Sequence, residues 1–94
     1  MLENKRIIVT GAARGMGEAT VIAYVGAGAQ VVAMDINDEA GAAVVAAANE
    51  QGPGQATYQH VDIADKGSVV AAFDEAADHL GGLDALAHPA AIQA

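Results

Sequence analysis

The sequence predicts an α/β domain built on a parallel sheet, and three observations carry that reading. Short β-branched runs alternate with longer alanine-rich stretches of helical period, in the order β-α-β-α-β-α-β. The runs are mostly apolar on both faces, as strands of a sheet covered on each side must be. Glycine, joined once by proline, punctuates most of the junctions. The length of 94 residues holds one small domain, residues 1–94, with no linker or second unit.

Arg6-Ile7-Ile8-Val9-Thr10, ended by Gly11, reads as the first buried strand. A helix is expected from Gly15 to Ala27, with Val21, Ile22 and Val25 on one face and Glu18 turned outward. Gly28 suits a left-handed cap after it. The second strand is expected from Gln30 to Met34, stopping at Asp35. Asn37 or Asp38 can cap the next helix, which runs to about Gln51 and is broken by Gly52-Pro53-Gly54. The third strand is expected from Thr57 to Val61. Asp65 caps the third helix, where Val69, Ala72, Phe73, Ala76, Ala77 and Leu80 form one apolar stripe opposite Asp74, Glu75 and Asp78. Gly81-Gly82 ends it, and Leu83 to His88 is expected as the fourth strand. Right-handed crossovers place the helices on both faces of the sheet.

Composition removes several classes of function. The chain is 53% hydrophobic and 3% aromatic, too apolar for a disordered tail. No apolar run approaches the roughly 20 residues needed to cross a bilayer. Cysteine is absent, which excludes disulfides, thiolate chemistry and cysteine-type zinc sites. Four basic residues face 12 acidic ones, a net charge of −8. Lys5, Arg6, Arg14 and Lys66 form no patch, so neither nucleic acid nor an anionic membrane is an expected partner. The amino end lacks the long apolar core of a signal peptide, and a cytoplasmic location is the expectation.

The chemistry concentrates in Thr10-Gly11-Ala12-Ala13-Arg14-Gly15-Met16-Gly17, between the first strand and the first helix. Gly11 permits a tight turn, Gly15 lets a diphosphate approach the backbone, and Gly17 lets the helix pack closely against the sheet. Amides at the helix start, with the dipole behind them, then face an anion, and Arg14 adds one positive charge. Asp35 closes the second strand 18 residues after Gly17, where a Rossmann-type dinucleotide fold sets an acid on the adenosine ribose. A carboxylate there accepts hydrogen bonds from both ribose hydroxyls and repels a 2′-phosphate. NAD is therefore expected over NADP.

Other groups are set aside. His60, His79 and His88 are spaced by 19 and 9, which fits no common metal pattern, so no metal site is expected. Asp74, Glu75 and Asp78 read as a solvated face, and Thr10 and Ser68 have no histidine placed to activate them.

Thr10 through Gly17 match the cofactor loop Thr-Gly-x-x-x-Gly-x-Gly of the short-chain dehydrogenase/reductase family, and the chain resembles that family over essentially its whole length. Asp62-Ile63 resembles the family's adenine-contacting pair after the third strand. Leu83-Asp84-Ala85-Leu86-Ala87 resembles its fourth strand. The resemblance implies a partial Rossmann-type sheet of four strands, ordered 3-2-1-4, forming the family's amino-terminal, cofactor-binding half. It assigns cofactor contacts to Gly11, Arg14, Gly15, Met16, Gly17, Asp35, Asp62, Ile63 and Ala90. One departure is His88-Pro89-Ala90-Ala91, where the family has Asn-Asn-Ala-Gly. Pro89 removes an amide donor on the nicotinamide side. The family's catalytic Ser and Tyr-x-x-x-Lys pair fall beyond Ala94, so no catalytic residue is assigned. Tyr24 and Tyr58 do not replace that tyrosine.

The expected function is the NAD-binding portion of an oxidoreductase that moves hydride between a nicotinamide and an alcohol or ketone. The alternative is an inactive nucleotide-binding or self-associating module. A different Rossmann binder, such as a methyltransferase or flavoprotein, fits the glycine spacing less well. An unpaired edge at the fourth strand leads to the expectation of a homo-oligomer rather than an isolated monomer.

Overall fold

The computed structural model describes residues 2–13, 15–62 and 64–87. Seven elements follow one another: β1 (Arg6–Thr10), α1 (Gly15–Gly26), β2 (Gln30–Asp35), α2 (Asp38–Gln51), β3 (Gln55–His60), α3 (Lys66–Leu80) and β4 (Ala85–Ala87). The four strands form one sheet in the order β3-β2-β1-β4, and all three pairings are parallel. This is the expected topology.

Strand parity sorts the core into two layers. Ile7 and Val9 of β1, Val31 and Ala33 of β2, and Ala56 of β3 share one cluster with Val21 and Val25 of α1 and Val44 and Ala48 of α2. Ile8, Val32 and Met34 belong to the other, with Ala72 and Ala76 of α3. Successive strand residues point to opposite faces, so the unbroken apolar runs are what a doubly covered sheet requires. Val69, Phe73 and Leu80 pack at the margin of the α3 layer, as the helical stripe predicts.

Helix ends carry the expected caps. The Asn37 side chain accepts from the Ala40 amide at 3.0 Å and starts α2. Asp65 accepts from the amides of Gly67 at 2.9 Å and Ser68 at 3.3 Å and starts α3. Each satisfies donors that a helix leaves without intrahelical acceptors. Gly81, at φ 78°, closes α3 in the left-handed region.

Two strands differ from expectation. β3 starts two residues early, because Asn49 from α2 accepts from the Ala56 amide at 2.7 Å and donates to its carbonyl at 3.0 Å. That side chain occupies the outer edge of the strand and stiffens a segment of low β propensity. β4 is shorter than expected at its start. Asp84 turns its carboxylate onto Arg6, accepting from the backbone N–H at 2.8 Å, Nε at 3.0 Å and Nη2 at 3.2 Å. Arg6 Nη1 donates to the Gly81 carbonyl at 3.0 Å, and a Cβ at Gly82 would collide with the guanidinium. The fork thus fastens the α3–β4 turn to the start of β1.

Arg6 holds the Asp84 carboxyl down at about 2, chiefly by hydrogen bonding. The value in an unfolded chain is about 3.9. The pair therefore contributes stability above about pH 4 and loses it as pH falls toward 2. Both side chains are partly exposed, so salt screens the effect. Asp84→Asn should lower the melting temperature at neutral pH. The gap from the parent chain should close between pH 4 and pH 2, as followed by circular dichroism. A gap unchanged across that window would contradict the assignment.

Candidate functional site

The site lies at the carboxyl ends of β1, β2 and β3, beside the point where strand order reverses between β1 and β4. β1 ends at Thr10, which is buried. Gly11 follows at φ 64°, a conformation that a side chain would strain, and turns the chain out of the sheet. The loop stays attached to β2 through two amides. Ala12 N–H donates to the Met34 carbonyl at 3.0 Å, and Ala13 N–H donates to Asp35 Oδ2 at 2.9 Å.

The helix α1 then opens at Gly15. This residue has φ 59°, and beyond its chain neighbours and the adjoining backbone of its own helix no described atom lies within 4 Å of the place a Cβ would occupy. The helix start is therefore open on that side, and a helix presents amides and the positive end of its dipole there. Gly17 has a different role from the expected one. A Cβ there would collide with the Gly11 carbonyl oxygen and stand 3.0 Å from Ala12 Cα. The close approach is between the first turn of α1 and the glycine loop itself, so Gly17 sets the shape of the loop more than the helix–sheet distance.

Asp35 is bound on both carboxylate oxygens. Oδ2 takes the Ala13 amide, and Oδ1 takes the amides of Ile36 at 2.7 Å and Asn37 at 3.0 Å. The two oxygens offer about four lone-pair sites, so these three bonds orient the carboxylate and leave one acceptor site, on Oδ2. The group borders an open cleft of about 190 Å³ lined by Gly11, Asp35, Ile36, Val61, Asp62 and Ala64. Ile36 is 59% exposed and forms an apolar flank. Asp62 Oδ1 accepts from Ala64 N–H at 3.0 Å, and the Asp62 amide donates to Ser68 Oγ at 3.2 Å. The fold thus brings Gly11, Asp35 and Asp62 to one cleft beside the Gly15–Gly17 helix start. Met16 is half exposed at that start. Arg14, Ile63, Ala90 and the His88–Ala91 departure lie outside the described residues.

Behind Asp35 is a cluster that sequence reasoning did not single out. Tyr58 Oη lies 2.6 Å from the Asp35 carbonyl and 2.6 Å from Asp38 Oδ1. His60 Nδ1 lies 2.7 Å from the same Asp38 oxygen. Burial, then the Asp38 carboxylate, push the Tyr58 hydroxyl well above its usual range, so it stays a donor. Hydrogen bonds from Tyr58, then His60, hold the Asp38 carboxyl below the usual carboxylate range. Alternation along β3 put Tyr58 and His60 on one face, but nothing local pointed to Asp38 as their partner. Among the described residues no group of three His, Cys, Asp or Glu side chains could hold a metal ion. No helix among them is long and apolar enough to cross a membrane.

These features define a class, a doubly wound parallel α/β sheet with a glycine-rich turn at the carboxyl ends of its strands. Comparison with known proteins makes it specific. The family model for short chain dehydrogenase matches residues 5–94. A 2,5-dichloro-2,5-cyclohexadiene-1,4-diol dehydrogenase of Sphingobium indicum is 47% identical over 91 residues, which is 97% of this chain and 35% of that protein. Momilactone A synthase of Oryza sativa is 41% identical over 91 residues, covering 97% of this chain and 32% of that protein. A crystal structure of hydroxysteroid dehydrogenase from Escherichia coli superposes with a TM-score of 0.87 at 37% identity, over 93% of this chain and 37% of that one. The chain belongs to the short-chain dehydrogenase family, whose members bind a nicotinamide cofactor, NAD or NADP. It spans about a third of the length of the curated relatives it matches.

The two loop glycines should respond differently to alanine. Gly17→Ala places a Cβ against backbone, which cannot move away cheaply, so both thermal stability and nucleotide binding should fall. Gly15→Ala has room for its methyl and should cost only the strain of its positive φ, about 1–2 kcal/mol. Thermal melts of the two variants check this, and a larger loss at Gly15 than at Gly17 would contradict it.

Proposed function

We propose that this chain binds NAD, as the cofactor-binding portion of an oxidoreductase acting on an alcohol or ketone. The observation that carries the proposal is the cleft at the strand ends, where Gly11, Asp35 and Asp62 meet beside the open start of α1. The residues fit the group. The vacant space at Gly15, which only a glycine backbone keeps open at φ 59°, suits a pyrophosphate at the helix amides. Asp35, oriented by three backbone amides, is taken as the acid that accepts from the adenosine ribose, through the acceptor site left on Oδ2. Ile36 and Val61 offer apolar surface to a planar base, and Asp62 offers an acceptor for its amino group. In this reading Arg14, Met16 and Gly17 add to the pyrophosphate contact, Ile63 joins Asp62 in the adenine contact, and Ala90 belongs to the nicotinamide ribose.

The cofactor supplies the nicotinamide carbon that takes or gives hydride. The residues of this chain hold its adenosine and diphosphate. Proton transfer to the substrate oxygen would come from a family-type Tyr-x-x-x-Lys pair, which these 94 residues do not contain. The preference for NAD follows from charge. Asp35 and Asp62 line one cleft, and a 2′-phosphate set against them would be repelled. A homo-oligomer and a cytoplasmic location belong to the same proposal. The first is supported by Leu86 on the edge strand β4 and Leu83 in the turn before it, 41% and 42% exposed.

Calorimetric titration should show NAD bound more tightly than NADP. Asp35→Ala should narrow that preference by roughly 1–3 kcal/mol, the scale of lost charge-assisted hydrogen bonds. Equal or tighter binding of NADP by the parent chain would remove the ribose argument. With alcohols and NAD, the 94-residue chain alone should show no turnover above background. Turnover would instead support catalytic groups within these residues.

A further inference from the structure

The turn between β2 and α2 is held from outside the cofactor cleft by β3. Asp35 presents its side chain to the cleft and its carbonyl to β3. That carbonyl accepts from Val61 N–H at 3.0 Å and lies 2.6 Å from Tyr58 Oη. Three residues on, Asp38 places Oδ1 2.6 Å from the same hydroxyl and 2.7 Å from His60 Nδ1. The tyrosine has one proton and two acceptors. Asp38 competes for that proton with the Asp35 carbonyl, and the donor from His60 lessens the demand of Asp38 on it. The chain of contacts runs His60, Asp38, Tyr58, Asp35. Space for it is built in, since a Cβ at Gly41 of α2 would collide with the Tyr58 ring.

We propose that Tyr58 and His60, acting through Asp38, are positioning residues that set the Asp35 carboxylate against an adenosine ribose and so govern discrimination between a 2′-hydroxyl and a 2′-phosphate. The proposal rests on the reading of Asp35 as the ribose acid. The turn from Asp35 to Asp38 carries two carboxylates, one facing the cleft and one turned to β3. With both ends tied, Asp35 cannot swing aside to relieve a 2′-phosphate, and its carboxylate stays where a ribose diol can use it. Once the tie is loosened, the diol loses an oriented acceptor while the phosphate meets a repulsion that can move away. Affinity for NAD falls, and affinity for NADP does not fall with it.

The test uses the 94-residue chain, titrated calorimetrically with NAD and with NADP. Tyr58→Phe should weaken NAD about 3- to 10-fold, the scale of one hydrogen bond, and shift NADP by less than about 2-fold. His60→Ala should act in the same direction. His60→Asn, which restores a donor near the position of Nδ1, should recover much of the loss. Hydrogen exchange at the Ala13 and Asn37 amides, both bound to the Asp35 carboxylate, should quicken in Tyr58→Phe. Should that variant fail to fold, the His60→Ala and His60→Asn pair, at a side chain that is 51% exposed, carries the same comparison. Equal weakening of both cofactors would mean a merely structural role and overturn the proposal. Unchanged NAD affinity, or unchanged exchange at Ala13 and Asn37, would overturn it too. A parent chain that binds neither cofactor removes the ribose reading and this proposal with it, whereas a parent that prefers NAD with unresponsive variants removes this proposal alone.

Discussion

The Asp35 carboxylate stands between two segments that must keep a fixed relation. Its Oδ2 receives the Ala13 amide from the loop after β1, and its Oδ1 receives two amides of the turn after β2. A loop leaving a parallel sheet exposes N–H groups that need acceptors. Here one side chain supplies them to both loops at once. The cleft wall, the shape of the glycine loop and the start of α2 all depend on that arrangement.

The rest of the fold serves to hold that carboxylate and the start of α1 in register. The parallel pairing of β1 with β2 runs from Arg6–Gln30 to Thr10–Met34, which brings the glycine loop level with Asp35. The β2–β3 register ends at Asp35 opposite His60, which brings the Tyr58 and His60 side chains behind the turn. Two core layers of opposite strand parity keep these registers from slipping, because a one-residue shift would turn each apolar residue to the wrong layer. At the far end of β1 the Arg6–Asp84 fork fastens β4.

Membership of the short-chain dehydrogenase family gives this geometry its setting, and the span of about a third of the relatives' length gives it its bounds. Binding of the adenosine half of a dinucleotide needs strand ends, a helix start and a carboxylate, all present here. Proton transfer needs groups held over the nicotinamide, and none of these residues matches the family's pair.

Much of the fold was legible in the sequence, because its signals are local. Alternation of β-branched runs with helical stripes gave the element order, Asn37 and Asp65 announced their helices, and Gly28 and Gly81 sit at positive φ as caps require. The positions of Gly11 and Asp35 followed from spacing along the chain. Tertiary structure alone decided what these residues touch. The collision that reserves Gly17 for glycine is with the loop at Gly11, the edge of β3 is secured by Asn49 from α2, and β4 is shortened by Asp84 turning to Arg6. The Tyr58–Asp38–His60 cluster joins residues 20 and 22 positions apart. Periodicity reports which face a residue presents to its own element. Which partner waits on that face is set by the register of one strand on another, and that exists only once the chain has closed on itself.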